Sequence, residues 1–229
     1  MPYPRMDRQG SAVDDLLPPV TAFLTTSLAI IVLCRWAPTL GLLDSPSGRK
    51  QHKSVVPLIG GIAIYTSLLV GALIWGGREE VVVLVSQRDA IPIFILAAGV
   101  LVVGGVIDDR YQTGVTLKIA TEVLAAVIVI EALDFRITYL GDLIGLGMIE
   151  MPSGISYAFT IIAIFGLVNA FNMLDGVDGL LSALVLTTFS AFHIITGTPV
   201  TVTAAFLSAS VLAFLISNMS VTRWIPKCF

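Results

Sequence analysis

Two amides and two carboxylates crowd one stretch of this chain, Asn169-Ala-Phe-Asn172-Met-Leu-Asp175-Gly-Val-Asp178-Gly-Leu180, set between two long apolar runs. A carboxylate at the centre of a bilayer costs roughly 3 kcal/mol on insertion scales. Asp175 and Asp178 together therefore point to a cation or a polar substrate. Asn169 and Asn172 are three apart, as are Asp175 and Asp178, so each pair shares a helix face. One straight helix cannot aim all four at one point, because each three-residue step turns the direction by about 60°. Gly176 and Gly179 remove Cβ atoms where the chain must bend. The stretch reads as a helix ending near Gly176, a break at the membrane face, and a second helix starting near Asp178. Its plainer reading is a polar loop between helices with a capping aspartate.

The elements that hold such a stretch must be membrane helices. Of 229 residues, 56% are hydrophobic and 13% charged, and mean hydropathy is +0.93. A soluble domain carries about 25% charge. The fold class is therefore an all-α polytopic membrane protein, read as one integral membrane domain over residues 1–229. A net charge of −3 implies no nucleic-acid partner. Cys34 and Cys228 lack metal-ligand spacing, and His52 and His193 are too far apart for a zinc site made of neighbours.

A span needs roughly 20 apolar residues. The apolar runs place spans near Leu16–Trp36, Pro57–Trp75, Ala90–Ile107, Val115–Leu133, Ile155–Met173, Asp178–Thr196 and Val200–Met219. The segment from Arg136 to Pro152 has short apolar stretches split by glycines and acids, and reads as a small hairpin outside the membrane. Alternate loops and the tail collect eight basic residues: Arg35, Arg49, Lys50, Lys53, Arg110, Lys118, Arg223 and Lys227. The other side collects five, Arg5, Arg8, Arg78, Arg88 and Arg136. That bias puts the first group, with Asp175 and Asp178, on the cytoplasmic side.

Three more stretches reach that side. Around Arg49, Lys50, His52 and Lys53, a loop bounded by prolines and glycines offers a planar guanidinium fork and point charges for phosphates; for the basic residues alone, ordinary positive-inside topology is the favoured reading. Asp108-Asp109-Arg110 closes the third span. Two carboxylates about 4 Å apart repel by roughly 4 kcal/mol at an effective dielectric of 20, and a divalent cation reverses that. Mg²⁺ takes one or two carboxylates plus substrate phosphates and water. Lys118 and Glu122 are four apart in the fourth span and read first as an ion pair, with phosphate binding by Lys118 as the alternative. Basic groups beside two acid pairs suit metal-assisted transfer of a phosphate-bearing group. No Gly-x-x-x-x-Gly-Lys loop is present, which argues against an ATP motor.

Arg49-Lys50-x-His52 with Pro57 and Gly60-Gly61, then Asp108-Asp109-Arg110, then Asn169 to Leu180 occur in that order. Together they resemble the polyprenyl-phosphate N-acetylhexosamine-1-phosphate transferase family, from about Leu40 onward. The Asn-Ala-Phe-Asn form is more similar to the branch that initiates O-antigen and related cell-surface polysaccharides than to the branch that loads the muramoyl-pentapeptide. The resemblance implies a multi-pass protein of the bacterial inner membrane with a cytoplasmic active face. It implies transfer of N-acetylhexosamine 1-phosphate, GlcNAc-1-phosphate first among the choices, from the UDP-sugar to undecaprenyl phosphate, with release of UMP. The cofactor it implies is Mg²⁺, with Mn²⁺ as a substitute. By position, Asp108, Asp109, Asp175 and Asp178 would be catalytic, with Asp108, Asp109 and Asp175 as metal ligands. Arg49, Lys50, His52, Lys118, Asn169 and Asn172 would bind substrate. Membrane lipid is a further expected partner, and a homodimer is an open assembly.

Members of that family continue past a tail like Arg223 to Phe229 into a Gly-Asp loop and further spans. The chain is thus expected to be the N-terminal portion of a catalytic domain, about seven helices of a larger bundle, and inactive by itself. The competing readings are an inactive membrane scaffold or subunit and, behind it, an ion transporter.

Overall fold

Inside a bilayer each backbone N–H and C=O must be satisfied within its own segment, and a helix does so. The computed structural model describes residues 12–44, 56–75, 90–142, 145, 147–175, 179–196 and 202–219. Among them the chain forms seven helices: α1 Ala12–Leu40, α2 Gly60–Trp75, α3 Ala90–Tyr111, α4 Val115–Leu133, α5 Ser153–Leu174, α6 Leu180–Thr196 and α7 Val202–Asn218. Two short strands, β1 Leu43–Asp44 and β2 Val56–Pro57, lie between α1 and α2. By length and composition alone, α1, α3 and α5 are each able to cross a membrane, while α2, α6 and α7 are shorter apolar helices. The all-α membrane architecture expected from composition is the one observed.

The boundaries differ from the expected spans in informative ways. α1 runs through Pro18, Pro19 and Pro38, and Thr21 Oγ1 donates to the Pro18 carbonyl at 2.8 Å. Hydroxyl side chains and neighbouring helices make such prolines tolerable in membrane helices. α3 carries on past Ile107, so Asp108, Asp109 and Arg110 form its last turn rather than a loop. Pro57 belongs to β2 and not to α2. Between α4 and α5 a hairpin ladder does form. Tyr139 bridges Glu150, Leu140 N–H donates to Ile149 O at 3.0 Å and Met151 N–H to Thr138 O at 2.8 Å.

The helices pack antiparallel in chain order, and small residues set the approach. Gly60 meets Phe214 and Gly71 meets Phe206, so α2 runs against α7. Ala22 clusters with Phe206 and Ile30 with Phe214, so α1 runs parallel to α7. A polar seam joins the three. Thr25 Oγ1 donates to Ser67 Oγ at 3.0 Å, and Ser67 Oγ shares a hydrogen with Ser210 Oγ at 3.2 Å. Ser67 and Ser210 are fully buried, and such bonds average about 0.6 kcal/mol each in membrane bundles. Tyr65 Oη donates to Ile95 O at 3.2 Å, tying α2 to α3. Gly104 lets Thr121 approach so closely that a Cβ would lie 2.7 Å from its methyl, which seats α3 on α4.

A Cβ at Gly60 would penetrate the Phe214 ring, whereas one at the neighbouring Gly61 would meet nothing. Gly60→Ala is therefore expected to destabilise the bundle by about 1–3 kcal/mol through overpacking. Gly61→Ala should leave stability unchanged or raise it by up to about 1 kcal/mol. Thermal unfolding of the two variants in detergent, followed by loss of helical circular dichroism, checks this pair.

Candidate functional site

The direction of each helix decides which motifs can meet. Glu122 of α4 touches Asn169 of α5, and Ile137, just past α4, is held by Ser156 at the start of α5. The pairs show that α4 and α5 are antiparallel. Only Gln112 to Gly114 separate α3 from α4, and so short a connection makes antiparallel neighbours. α3 and α5 therefore run the same way. The acid pair ending α3 and the Asn-rich end of α5 leave the bundle on one side.

The last turn of α3 is tied down from two directions. Gln112 N–H donates to the Asp108 carbonyl at 2.7 Å, and Gln112 takes a left-handed φ of 49° before Gly114 at 86°. That tight turn brings Thr113 Oγ1 to donate to Asp108 Oδ1 at 3.0 Å. Asp108 is half-buried and Asp109 exposed, so the adjacent carboxylates diverge, as neighbours on a helix must. Arg110 Nη1 donates to the Leu40 carbonyl at 2.9 Å, and its guanidinium lies 5.4 Å from the Tyr111 ring centroid. Leu40 ends α1, where the carbonyls have no helical partner. Arg110 thus fastens the acid pair to the end of α1.

Next to that fastening the chain turns back sharply. Gly41 has φ 71°, Leu42 N–H donates to Ala37 O at 3.0 Å and Gly41 N–H to Pro38 O at 3.3 Å. This is a left-handed glycine cap with the paired bonds of a Schellman motif. β1 then pairs antiparallel with β2, Leu43 opposite Pro57 and Asp44 opposite Val56. The basic loop thus leaves and returns at one clamped base. Its Arg49, Lys50 and His52 lie outside the described residues, as does Asp178.

Lys118 and Glu122 do not form the expected ion pair. Among the described residues the ion pair is Arg136 with Asp134, 2.7 Å apart at the opposite end of the bundle. Glu122 is instead buried, 3% exposed, and accepts a hydrogen from Asn169 Nδ2 at 2.6 Å. The physical reason is reach across the α4–α5 contact: an amide on the facing helix satisfies the carboxyl where water is excluded, and Lys118, one turn nearer the surface, stays half-buried. Asn172 and Asp175 are exposed. Asp175 caps α5, its N–H donating to Phe171 O at 3.1 Å. Although its side chain reaches the surface, surrounding protein withholds enough water to raise its carboxyl above the ordinary value.

The structure thus gathers Asp108, Asp109, Lys118, Asn169, Asn172 and Asp175 at one end. The described residues contain no group of three or more carboxylates, histidines or cysteines that closes around a metal. The oxygen donors present suit a hard cation that keeps water and substrate oxygens in its shell. The sequence missed the Thr113 contact and the Leu40 carbonyl. It also missed the Glu122–Asn169 bond, whose members lie 47 residues apart.

The model of the family described as Glycosyl transferase family 4 matches residues 91–224. This stretch includes the acid pair, Lys118 and the whole Asn169–Leu180 segment. The undecaprenyl-phosphate alpha-N-acetylglucosaminyl 1-phosphate transferase of Escherichia coli O157:H7 is 28% identical over 207 residues, covering 88% of this chain and 53% of that protein. The protein of that name from Yersinia pestis is 30% identical over 174 residues, 76% of this chain and 45% of its own length. In Bacillus subtilis strain 168 a protein named "Probable undecaprenyl-phosphate N-acetylglucosaminyl 1-phosphate transferase" is 29% identical over 211 residues, 87% and 55% respectively. The chain spans about half the length of these curated relatives. With its signature acids and amides brought to one end of a helical bundle, the chain belongs to glycosyl transferase family 4.

Proposed function

We infer that this chain forms the N-terminal portion of the catalytic domain of an inner-membrane transferase. The reaction moves GlcNAc 1-phosphate from UDP-GlcNAc to undecaprenyl phosphate, initiating a cell-surface polysaccharide. The observation that carries this reading is that α3 and α5 end on the same side of the bundle, which puts an acid pair, a lysine and an Asn-Asp segment on that side, within the family's matched region. Charge bias assigns that side to the cytoplasm, where the sugar nucleotide is soluble.

In this reading a lipid phosphate oxygen forms a bond to the phosphorus carrying the sugar. The bond from that phosphorus to the bridging oxygen breaks, and UMP departs. Direct attack and a covalent aspartyl intermediate use the same groups. Lys118, free of Glu122, supplies a cation to a phosphate near the membrane face. Arg49, Lys50 and His52 would extend the phosphate contacts from the loop clamped by β1 and β2. Asp108, Asp109 and Asp175, with Asp178, would hold Mg²⁺ or Mn²⁺, and such an ion neutralises charge building on the phosphates. Asp109 is exposed at the helix end, and Thr113 donates to one oxygen of Asp108. Asn172 extends the polar surface next to Asp175.

Transfer of labelled GlcNAc 1-phosphate to undecaprenyl phosphate, in membranes of cells expressing the complete reading frame that contains this chain, tests the assignment. Asp109→Asn is expected to lower transfer by about 10²-fold or more while helical content is kept, because charge aimed at a transferring phosphoryl group is worth several kcal/mol. EDTA should stop transfer and added Mg²⁺ restore it. Wild-type activity in Asp109→Asn would refute the metal-site reading. Asp175 yields a separate prediction in stability. Its folded carboxyl is raised by burial, so its contribution is present below its unfolded value and lost as pH rises through the folded one. Asp175→Asn should therefore raise the thermal midpoint at neutral pH. That gain should vanish below the ordinary value of 3.8, where both states of the wild type are protonated. Thermal melts across pH read this directly.

A further inference from the structure

Asn169 Nδ2 makes two hydrogen bonds, to Glu122 Oε2 at 2.6 Å and to its own helix at the Phe165 carbonyl, 2.9 Å away. A backbone carbonyl only accepts, so the NH₂ end of this amide must face it, and the second hydrogen goes to Glu122. Both donors are thereby consumed. The other end of the amide, Oδ1, has no partner among the described residues. Asn169 can therefore meet anything outside the pair only as an acceptor. Glu122 itself is 3% exposed and sits one turn deeper than Lys118 on α4. It cannot reach a water-borne substrate, and the proposed reaction gives it no direct role.

We propose that Glu122 is a positioning residue: it locks the Asn169 amide with its nitrogen inward, so that Oδ1 is presented to a cationic or hydrogen-donating group of the bound substrate complex. The inference rests on the transferase reading above and adds the orientation of one of its groups. Without Glu122, the nitrogen keeps only its own-helix acceptor, and the amide loses the contact that fixes its rotation. Presenting N–H where an acceptor is needed repels a cation and leaves a donor unpaired. Misplacement of one such group costs catalysis up to about 10²-fold.

The test separates the acceptor from mere packing. Glu122→Leu keeps the volume and removes the acceptor; Glu122→Gln keeps an oxygen at that place. Transfer per folded molecule should fall about tenfold or more in Glu122→Leu and return to within about threefold in Glu122→Gln. In a double-mutant cycle, Glu122→Leu with Asn169→Ala should be no worse than Asn169→Ala alone, since one group acts through the other. A second readout does not need turnover. With ¹⁵N-asparagine labelling in nanodiscs, the Asn169 side-chain amide signal, identified by its loss in Asn169→Ala, should exchange with water slowly in the wild type and fast in Glu122→Leu. Losses that multiply in the cycle, equal turnover in the Leu and Gln variants, or unchanged amide exchange would each overturn the inference while leaving the transferase reading intact. Absence of transfer by the wild-type product of the complete reading frame that contains this chain would overturn both.

Discussion

Everything at the candidate site depends on parity: α3, α4 and α5 alternate in direction, so two reversals, an even number, separate the end of α3 from the end of α5. Were α4 missing, the acid pair and the Asn-Asp segment would face opposite compartments. The contacts that enforce alternation are small. Gly104 admits Thr121, and Asn169 bonds Glu122. In lipid, where apolar surface supplies little drive for helices to associate, close approach and interhelical hydrogen bonds do that work.

Ionisable groups sort by depth along this axis. Asp109 and Asp175 are exposed at the ends of their helices, Lys118 is half-buried one turn in, and Glu122 is buried a turn further. Each step inward exchanges water for a specific protein partner. At the surface the carboxylates are exposed; at depth the Glu122 carboxyl is committed to an amide. In the proposed reaction the exposed groups would meet the ligand and the buried one would orient its neighbour.

Much of this was legible in the residues. Composition set the class, and apolar runs located the helices, α4 to the residue. The motifs pointed to a phosphosugar transfer family, and the family match agrees. Two kinds of feature were not legible. Local periodicity suggested that Lys118 would pair with Glu122 four residues away, but tertiary contact chose Asn169 instead. Backbone acceptors have no sequence signature, so the tie from Arg110 to the Leu40 carbonyl could not be read from either residue. The β1–β2 ladder was likewise hidden, because two-residue strands have no period to detect.

The seam of Thr25, Ser67 and Ser210 bears on how the molecule is made. α1 and α2 are synthesised early, whereas α7, which covers Ser67 and receives Phe206 and Phe214 against the glycines of α2, comes after four other helices. Until then Ser67 has only its α1 partners, Thr25 and the Ala22 carbonyl, and two bare backbone patches on α2 lack the rings that cover them. Biogenesis of this bundle is therefore a late closure, in which the last helix described seals a groove left by the first two and makes the intervening helices a loop between its ends.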